Sequence, residues 1–471
     1  MQNHRILASL VLVGATAITS AKAQTYLPAA LGTGVPSTQL FDVAAIGAFR
    51  VAAGVNIPNG QIGVHLFADA GWADISPPGI GVALSVASTA FAGNVFAGID
   101  TGDVLARDNL GNWTTIGTLT GNVVGLEIAP ASSTSIAPGN LVAAHGAGVD
   151  EFNGVSWTPV GGGLGGPASS IVFTADGRLL AGGLFPGGSV AQFDGTSWTF
   201  LPEPVAGATV NAIDETETGR LVAAVLTTGF GGIFEFDGTA WTQIATTISS
   251  GGFIADVVAV PGGYVAVGGM SSIDGITVGN IAKFDGTGWN AVATASQAVS
   301  AAEFANDPAD PRLVTAGSFL TMNTTPANSV AEFGTTLAGS TTPLGVGCKS
   351  MTLTGANMPL VGAIYRSTAT RMFNAAVHIM ADTSTMTLPF TPIPMSTIFP
   401  ASDPSCMLNV VPAFIGTIVV TSQTMTLEIS IPRTPTLAGT DLFHQTAVIL
   451  STTSGLSASS SNGVRATIGM F

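Results

Sequence analysis

Few side chains in this sequence are equipped for covalent or metal chemistry, and those few are scattered. The histidines are His4, His65, His145, His378 and His444, with no His-x-His or His-Glu-x-x-His spacing, so no convergent ligand set for a metal is visible. The pairs Asp176-Gly177, Asp194-Gly195, Asp237-Gly238 and Asp285-Gly286 hint at calcium, but Asp-Gly is turn chemistry first. One acidic set stands apart. Aligning the first apolar strand of successive repeat units places Asp42, Glu127 and Glu303 in one column, each between apolar neighbours. Asp256 joins them if its unit shifts slightly, while Ser85, Val172 and Ala212 hold that column elsewhere. Carboxylates are rarely buried without partners, so the column either meets water in a channel or binds a cation or another ligand. Calcium, which accepts carboxylate and carbonyl oxygens in loose geometry, is the cation to expect, and no other cofactor is.

The elements that must position these carboxylates are written in a repeat. Phe193-Asp194-Gly195-Thr196-Ser197-Trp198 recurs as Phe236-Asp237-Gly238-Thr239-Ala240-Trp241 and as Phe284-Asp285-Gly286-Thr287-Gly288-Trp289, with a looser copy from Phe152 to Trp157. Worn copies end in Trp113 and Trp72, so one motif accounts for all 6 tryptophans. Asp-Gly tolerates the positive φ of a tight turn and the flanking aromatics favour strands, which predicts a β-hairpin with Phe and Trp on one face. Between the tryptophans each unit supplies four short strands. Ser170 to Phe173, Arg178 to Ala181, Val190 to Phe193 and Trp198 to Leu201 make up one of them. Repeats of about 40–50 residues with four strands each imply propeller blades. Counting the unit that begins at Leu40 and a last unit from Ala301 to Phe333 gives seven, the seventh without its Trp strand. The segment Thr25 to Gly34 parallels Trp157 to Gly166, so it is the expected donor of the missing strand, with Tyr26 standing for the Trp.

Composition narrows the setting. Charged residues are 9% of the chain, Gly numbers 60 and the net charge is −15. Such a chain is not disordered, and its charge argues against nucleic acid and anionic membrane surfaces as partners. Residues 1–23 read as a signal peptide: His4 and Arg5, an apolar run from Ile6 to Ile18, and Ala21-Lys22-Ala23 before Gln24. No later stretch has the roughly 18 unbroken apolar residues of a spanning helix, so no membrane span is expected. In an exported protein the lone pair Cys348 and Cys406 is expected to form one disulfide.

The apolar strand, the glycine pairs Gly182-Gly183 and Gly268-Gly269, and the later aromatic–Trp pair resemble a kelch-type β-propeller repeat of secreted bacterial proteins. Ala143-Ala144 and Ala223-Ala224 stand where two of the glycine pairs belong. The resemblance also brings copper-radical oxidases into view, but their cysteine–tyrosine cross-link has no counterpart, since the repeat region contains no cysteine. Beyond a Gly/Ser/Thr/Pro linker at 338–345, tryptophan disappears and methionine becomes frequent. This tail, 346–471, resembles the terminal β domain of secreted proteins of environmental bacteria. The matching residues are Gly345-Val346-Gly347-Cys348, Ser405-Cys406-Met407-Leu408 and Ile431 to Gly439. The resemblance implies an attachment or export-associated role for it.

The resulting expectation is an all-β protein: a signal peptide, a seven-bladed β-propeller over 24–337 closed by its N-terminal strand, and a small β-sandwich-like domain. It is expected to be exported, extracellular or at the cell surface. Its expected role is non-catalytic, binding a glycan, protein or matrix ligand or serving as structure. The competing expectation is an extracellular carbohydrate-active hydrolase or lyase with its site on one propeller face, which needs paired carboxylates at chemistry distance.

Overall fold

The computed structural model describes residues 28–470, apart from 32–33, 36–37, 47–48, 69–70, 90–93, 217, 228–229, 306–310, 335–338, 362, 373–374, 383–390, 420–422 and 432–436. The expected signal peptide, 1–23, and Tyr26 lie outside the described residues. The chain forms two compact units, one of Thr25–Asp307 with Pro311–Gly334, the other including Thr335–Phe471. Both are built of β-strands, with no α-helix among the described residues.

The larger unit is a β-propeller of four-stranded antiparallel sheets, numbered I to VII here in chain order. Sheets I to VI are consecutive meanders within residues 38–74, 83–118, 123–159, 168–200, 209–245 and 253–294. Sheet VII takes Val299–Ala305, Arg312–Gly317 and Val330–Phe333 from the chain and Pro28–Ala30 from the N-terminus. The first strands are Thr38–Ile46, Ala83–Ser88, Val123–Ile128, Ala168–Phe173, Thr209–Glu215, Phe253–Val260 and Val299–Ala305. Each packs against the first strand of the next sheet, and the last returns to the first, so these strands surround a common axis.

The hairpin motif explains how one sheet is made and how it holds the next. In sheet IV, Asp194 Oδ1 accepts the amides of Thr196 at 2.8 Å and Ser197 at 2.9 Å, fixing the turn that Gly195 completes at φ +99°. Phe193 and Trp198 then stand opposite each other with ring centroids 5.3 Å apart. The indole is free to reach back to the preceding sheet. Trp198 Nε1 donates to the Val160 carbonyl at 2.8 Å, Trp157 to Ile116, Trp113 to Ile75, Trp241 to Pro202 and Trp289 to Ile244. Trp72 donates to Leu31 at 2.9 Å, just past the strand that completes sheet VII. A belt of indoles thus ties each of sheets I to VI to its predecessor.

Between the sheets lie separate apolar clusters rather than one core. Val142, Leu179 and Phe185 belong to the layer of sheets III and IV; Leu40, Val43, Val314 and Val330 belong to that of VII and I. Each fully buried Val or Leu contributes roughly 1.5–3 kcal/mol, so every sheet is held mainly by its two neighbours. Where sheets VII and I meet, Arg50 also pairs with Glu332 at 2.7 Å and Ser329 Oγ donates to the Thr38 carbonyl at 2.8 Å. The closing strand differs from expectation in register. Pro28, not Tyr26, stands opposite Phe333, the place that Trp157 holds opposite Phe152. Among the described residues of that strand the belt therefore has no indole donor, because the register puts proline at the tryptophan position.

The smaller unit sets two main sheets face to face and adds a two-stranded pair, Ile393–Pro394 with Met407–Leu408. A six-stranded sheet runs in the order Ser340–Leu344, Gly463–Thr467, Asp441–Thr452, Ala375–Asp382, Phe414–Val419, with Gly455–Ser460 also paired to Asp441–Thr452. A three-stranded sheet combines Leu353–Gly355, Ile364–Thr370 and Thr424–Ser430. Within the expected linker 338–345, Ser340–Leu344 is an edge strand opposite Gly463–Thr467. Its Thr-rich, glycine-flanked composition suits an exposed edge as well as a tether, and only the long-range pairing distinguishes the two. Cys348 and Cys406 are bonded, with Cα atoms 4.9 Å apart, and pack with Ile379, Phe443 and Ala447 on the face of the large sheet away from the small one.

Candidate functional site: the acidic axis of the propeller

A shared irregularity places the acidic side chains. Every first strand slips by one residue against its second strand, between Leu40 and Asp42 in sheet I and between Ile254 and Asp256 in sheet VI, for example. Such a bulge crowds the partner strand. A Cβ on Gly268 would lie 2.1 Å from the Phe253 carbonyl, and one on Gly183 would lie 2.3 Å from that of Pro167, which accounts for glycine at those places.

The bulge sets two levels of carboxylate, not one column. At the first level, just past the bulge, stand Asp42, Ser85, Gly125, Ser170, Ala212, Asp256 and Ala301. Two residues on, along the same strand face, stand Glu127, Asp214 and Glu303. The sequence alignment merged these levels, put Ala212 where Asp214 belongs, and missed Asp214. A one-residue bulge has no composition of its own. Registering the units on their second strands, with Ala224-Val225 set against Val267-Gly268, puts Ala212 beside Asp256 at the first level and Asp214 at the second.

The aspartates clip neighbouring strands together. Asp42 Oδ1 accepts the amide of Val43 and Oδ2 that of Val86 in sheet II, both at 2.8 Å. Asp214 joins Glu215 to Ala259 in sheet VI, both at 2.7 Å. Asp256 joins Val257 at 2.8 Å to Ala302 in sheet VII at 3.0 Å. Serines do the same in other sheets: Ser85 Oγ donates to the Val123 carbonyl and Ser170 Oγ accepts the Ile213 amide. Both oxygens of each aspartate are engaged with backbone, and among the described residues no three His, Cys, Asp or Glu side chains are grouped to hold a metal ion. The calcium expectation therefore finds no ligand set, and three of the acids have a structural task instead.

Glu127 and Glu303 are different, because among the described residues no amide or cation is placed against them. Burial pushes the Glu127 carboxyl up to about 8, with Asp42 and Asp214 adding to the push. Burial raises Glu303 well above the ordinary carboxylate range, and Glu127, Asp214, Asp42 and Asp256 all contribute. Burial also lifts Asp42 and Asp214 to about 7 and Asp256 to about 6, against the downward pull of their amide bonds. All five keep part of their surface accessible, as side chains around a narrow axis would. Near neutral pH the axis thus shares protons among crowded carboxyls, and its glutamic acids are hydrogen-bond donors as much as acceptors.

The histidines are not gathered here. His65 and His145 lie in sheets I and III, with His145 beside Asp150 at 3.2 Å, while His378 and His444 are in the smaller unit. Lys283 is buried in sheet VI, which lowers its ammonium to about 7.

The two ends of the propeller differ in chemistry. At one end lie the Asp-Gly turns and the arginines Arg107, Arg178, Arg220 and Arg312. At the other, the loops from second to third strand and from one sheet to the next contain no Lys or Arg among the described residues. That second end exposes Ile57 (64%), Ile80 (83%), Leu320 (56%), Leu226 (49%), Phe253 (48%) and Leu184 (44%). Leu110 and Val155 are the exposed large apolar side chains of the turn end.

The chain matches no known protein family, and no curated protein matches it in sequence. Among solved structures, it is similar to the WD40 β-propeller domain of Doa1 at 11% identity, covering 66% of this chain and 96% of that one with a TM-score of 0.45. For the structure of U3-55K the figures are 11%, 65%, 98% and 0.47. For YCF48 bound to D1 peptide they are 13%, 65%, 94% and 0.45.

Proposed function

We propose that this chain is an exported, non-catalytic binding protein: a seven-bladed, kelch-like β-propeller carrying a β-sandwich-like C-terminal domain, working outside the cell or at its surface. The seven four-stranded sheets and the closed cycle of first strands support the blade count. The signal-like start of the sequence supports export.

The observation that carries the binding role is the apolar loop end. Aliphatic side chains exposed to this degree from sheets I, IV, V and VII gather at one end of the ring, where no lysine or arginine competes for water. An apolar surface of this kind marks a docking face. Sugars are gripped by aromatic platforms and hydrogen-bonding side chains, whereas Phe253 is the one aromatic among these side chains, and Ile57, Ile80, Leu184, Leu226 and Leu320 offer neither. The ligand class is therefore a protein, ahead of a glycan.

The test is a displayed-peptide selection on the purified protein, paired with a glycan array. Binders to the wild type should lose at least about tenfold in affinity for the variant Ile80→Ser with Phe253→Ser and Leu320→Ser, and keep it for Leu110→Ser with Val155→Ser. Peptides indifferent to the first variant would sink the docking face. Glycan binding or cleavage abolished by Glu127→Gln with Glu303→Gln would instead favour the carbohydrate-active reading, which rests on those two unpartnered acids.

A further inference from the structure

Between the two sheets of the C-terminal unit, the apolar layer is interrupted by a band of polar side chains. Tyr365, on Ile364–Thr370, places its hydroxyl 3.2 Å from His444 Nε2. His444, on Asp441–Thr452, places Nδ1 3.1 Å from Nε2 of His378, on Ala375–Asp382. Tyr365 and His444 have no exposed surface and His378 only 7%. Thr446 stands opposite His378, and Ser367 follows Tyr365 on the same strand face; both hydroxyls are fully buried without a partner. Above and below the band the layer is apolar, with Ala369, Val448 and Leu427 on one side and Met380, Ile429 and Leu442 on the other.

A phenol is the better donor, so Tyr365 donates to His444 Nε2, and His444 Nδ1–H donates to His378 Nε2. In this chain both imidazoles are neutral and one proton is shared per contact. Adding a proton to either ring puts two N–H groups in opposition or forces Tyr365 to accept. The new charge would also meet no counter-ion among the described side chains. Among the described side chains, Tyr365 is the titratable group that the small sheet turns toward the pair. Its Arg366 and Glu428 pair with each other on the outer surface. On the large sheet, Asp441 and Arg465 bond to each other on the face turned away from the pair. Two unpartnered hydroxyls already weaken this layer, which leaves little margin for a buried cation.

We propose that the Tyr365–His444–His378 chain is an acid-sensitive latch: protonation of the histidine pair separates the two sheets of the C-terminal unit while the propeller remains folded. Burial agrees with the geometry, holding His378 down at about 4 and His444 well below the ordinary range. The open form binds the proton near the ordinary 6.5, so acid favours opening. For His378 alone, the opening constant rises on the order of 50-fold between pH 7 and pH 4.5.

Hydrogen exchange on the full chain, read in peptides covering 364–372, 375–382 and 441–452 and corrected for intrinsic rates, tests this. The wild type should exchange at least about tenfold faster at pH 4.5 than at pH 7 in these peptides, with no such rise in those of sheets III to V. His378→Gln with His444→Gln should abolish the acid response. If that variant does not fold at pH 7, Tyr365→Phe decides: it leaves His444 Nε2 free to take a proton and should move the acid midpoint toward neutrality. Exchange unchanged by acid in the wild type, or an acid response that persists in a folded double variant or is unmoved in Tyr365→Phe, would overturn the latch.

Discussion

The two units of this protein bury titratable groups of opposite kind, and they should answer pH in opposite directions. The propeller crowds five carboxyls around its axis and bonds three of them to backbone amides. The C-terminal unit seals two imidazoles between its sheets with a phenol for company. In each case burial favours the neutral form. For an acid the neutral form is the protonated one, and for an imidazole it is the deprotonated one. Glu127 in the folded propeller holds its proton up to about 8, against 4.5 in the unfolded chain. Its contribution is therefore full below pH 4.5 and lost as pH rises through 8. For His378 the folded value of about 4 lies below 6.5, so stability is present above 6.5 and lost as pH falls through 4. The same physical cost gives one unit an acid-strengthened core and the other an acid-weakened one.

The most severe way to break the comparison is to open the ring. Deleting residues 24–36 removes the strand whose residues Pro28 to Ala30 pair with Val330–Phe333, and the Leu31 carbonyl that receives Trp72. At about 1 kcal/mol per lost hydrogen bond, and more for the exposed edges, the propeller should lose roughly 3 kcal/mol or more. Tryptophan fluorescence isolates this melt, because every Trp lies in the propeller. A tryptophan melt within a degree of wild type would show that the other sheets close the ring unaided.

The converse cut is Cys348→Ala with Cys406→Ala. The bond closes a separation of 58 residues, so its loss should cost the C-terminal unit about 2–4 kcal/mol. The tryptophan melt should not move, and exchange in the 375–382 peptides should rise. Equal losses by both probes would mean that the units unfold as one.

The mildest change sharpens the comparison. Glu127→Gln with Glu303→Gln keeps shape and removes ionisation. The wild-type tryptophan melt should climb by several degrees from pH 8 to pH 5, above the range where surface aspartates such as Asp237, held at about 2 by Thr239 and Ala240, begin to protonate. In the variant that slope should flatten and the pH 8 value should rise. A wild type whose melt falls steadily from pH 8 to pH 5 would show that axial water screens these carboxyls fully.

How far the sequence could be read follows from what each feature depends on. The Phe-Asp-Gly-x-x-Trp unit depends on local turn geometry and on a Phe and a Trp facing each other, both of which are written within six residues. Asp194, Asp237 and Asp285 each accept two amides of their own turn, as the residue types require. The disulfide was also legible, since Cys348 had no alternative but Cys406. The site was only half legible. That acids recur in the first strands is plain from Asp42, Glu127, Asp256 and Glu303, but their heights depend on a bulge defined by the neighbouring strand.

What the sequence by itself determined is the repeated sheet: period, strand order, turns and the positions of the aromatics, all set by contacts short in sequence. What only the tertiary structure decided is every relation spanning one sheet to another. The Trp198 indole reaches Val160, Asp42 chooses the Val86 amide over water, and Pro28 takes the tryptophan's place because the register of a strand 305 residues away fixes it there. His378 and His444, 66 residues apart, become one hydrogen-bonded pair only when their strands are laid side by side. The physical reason is common to all of these. A side chain's chemistry is local, but its burial and its partners are properties of the packed sheets, and burial decides whether an acid is a clip, a proton store or a charge.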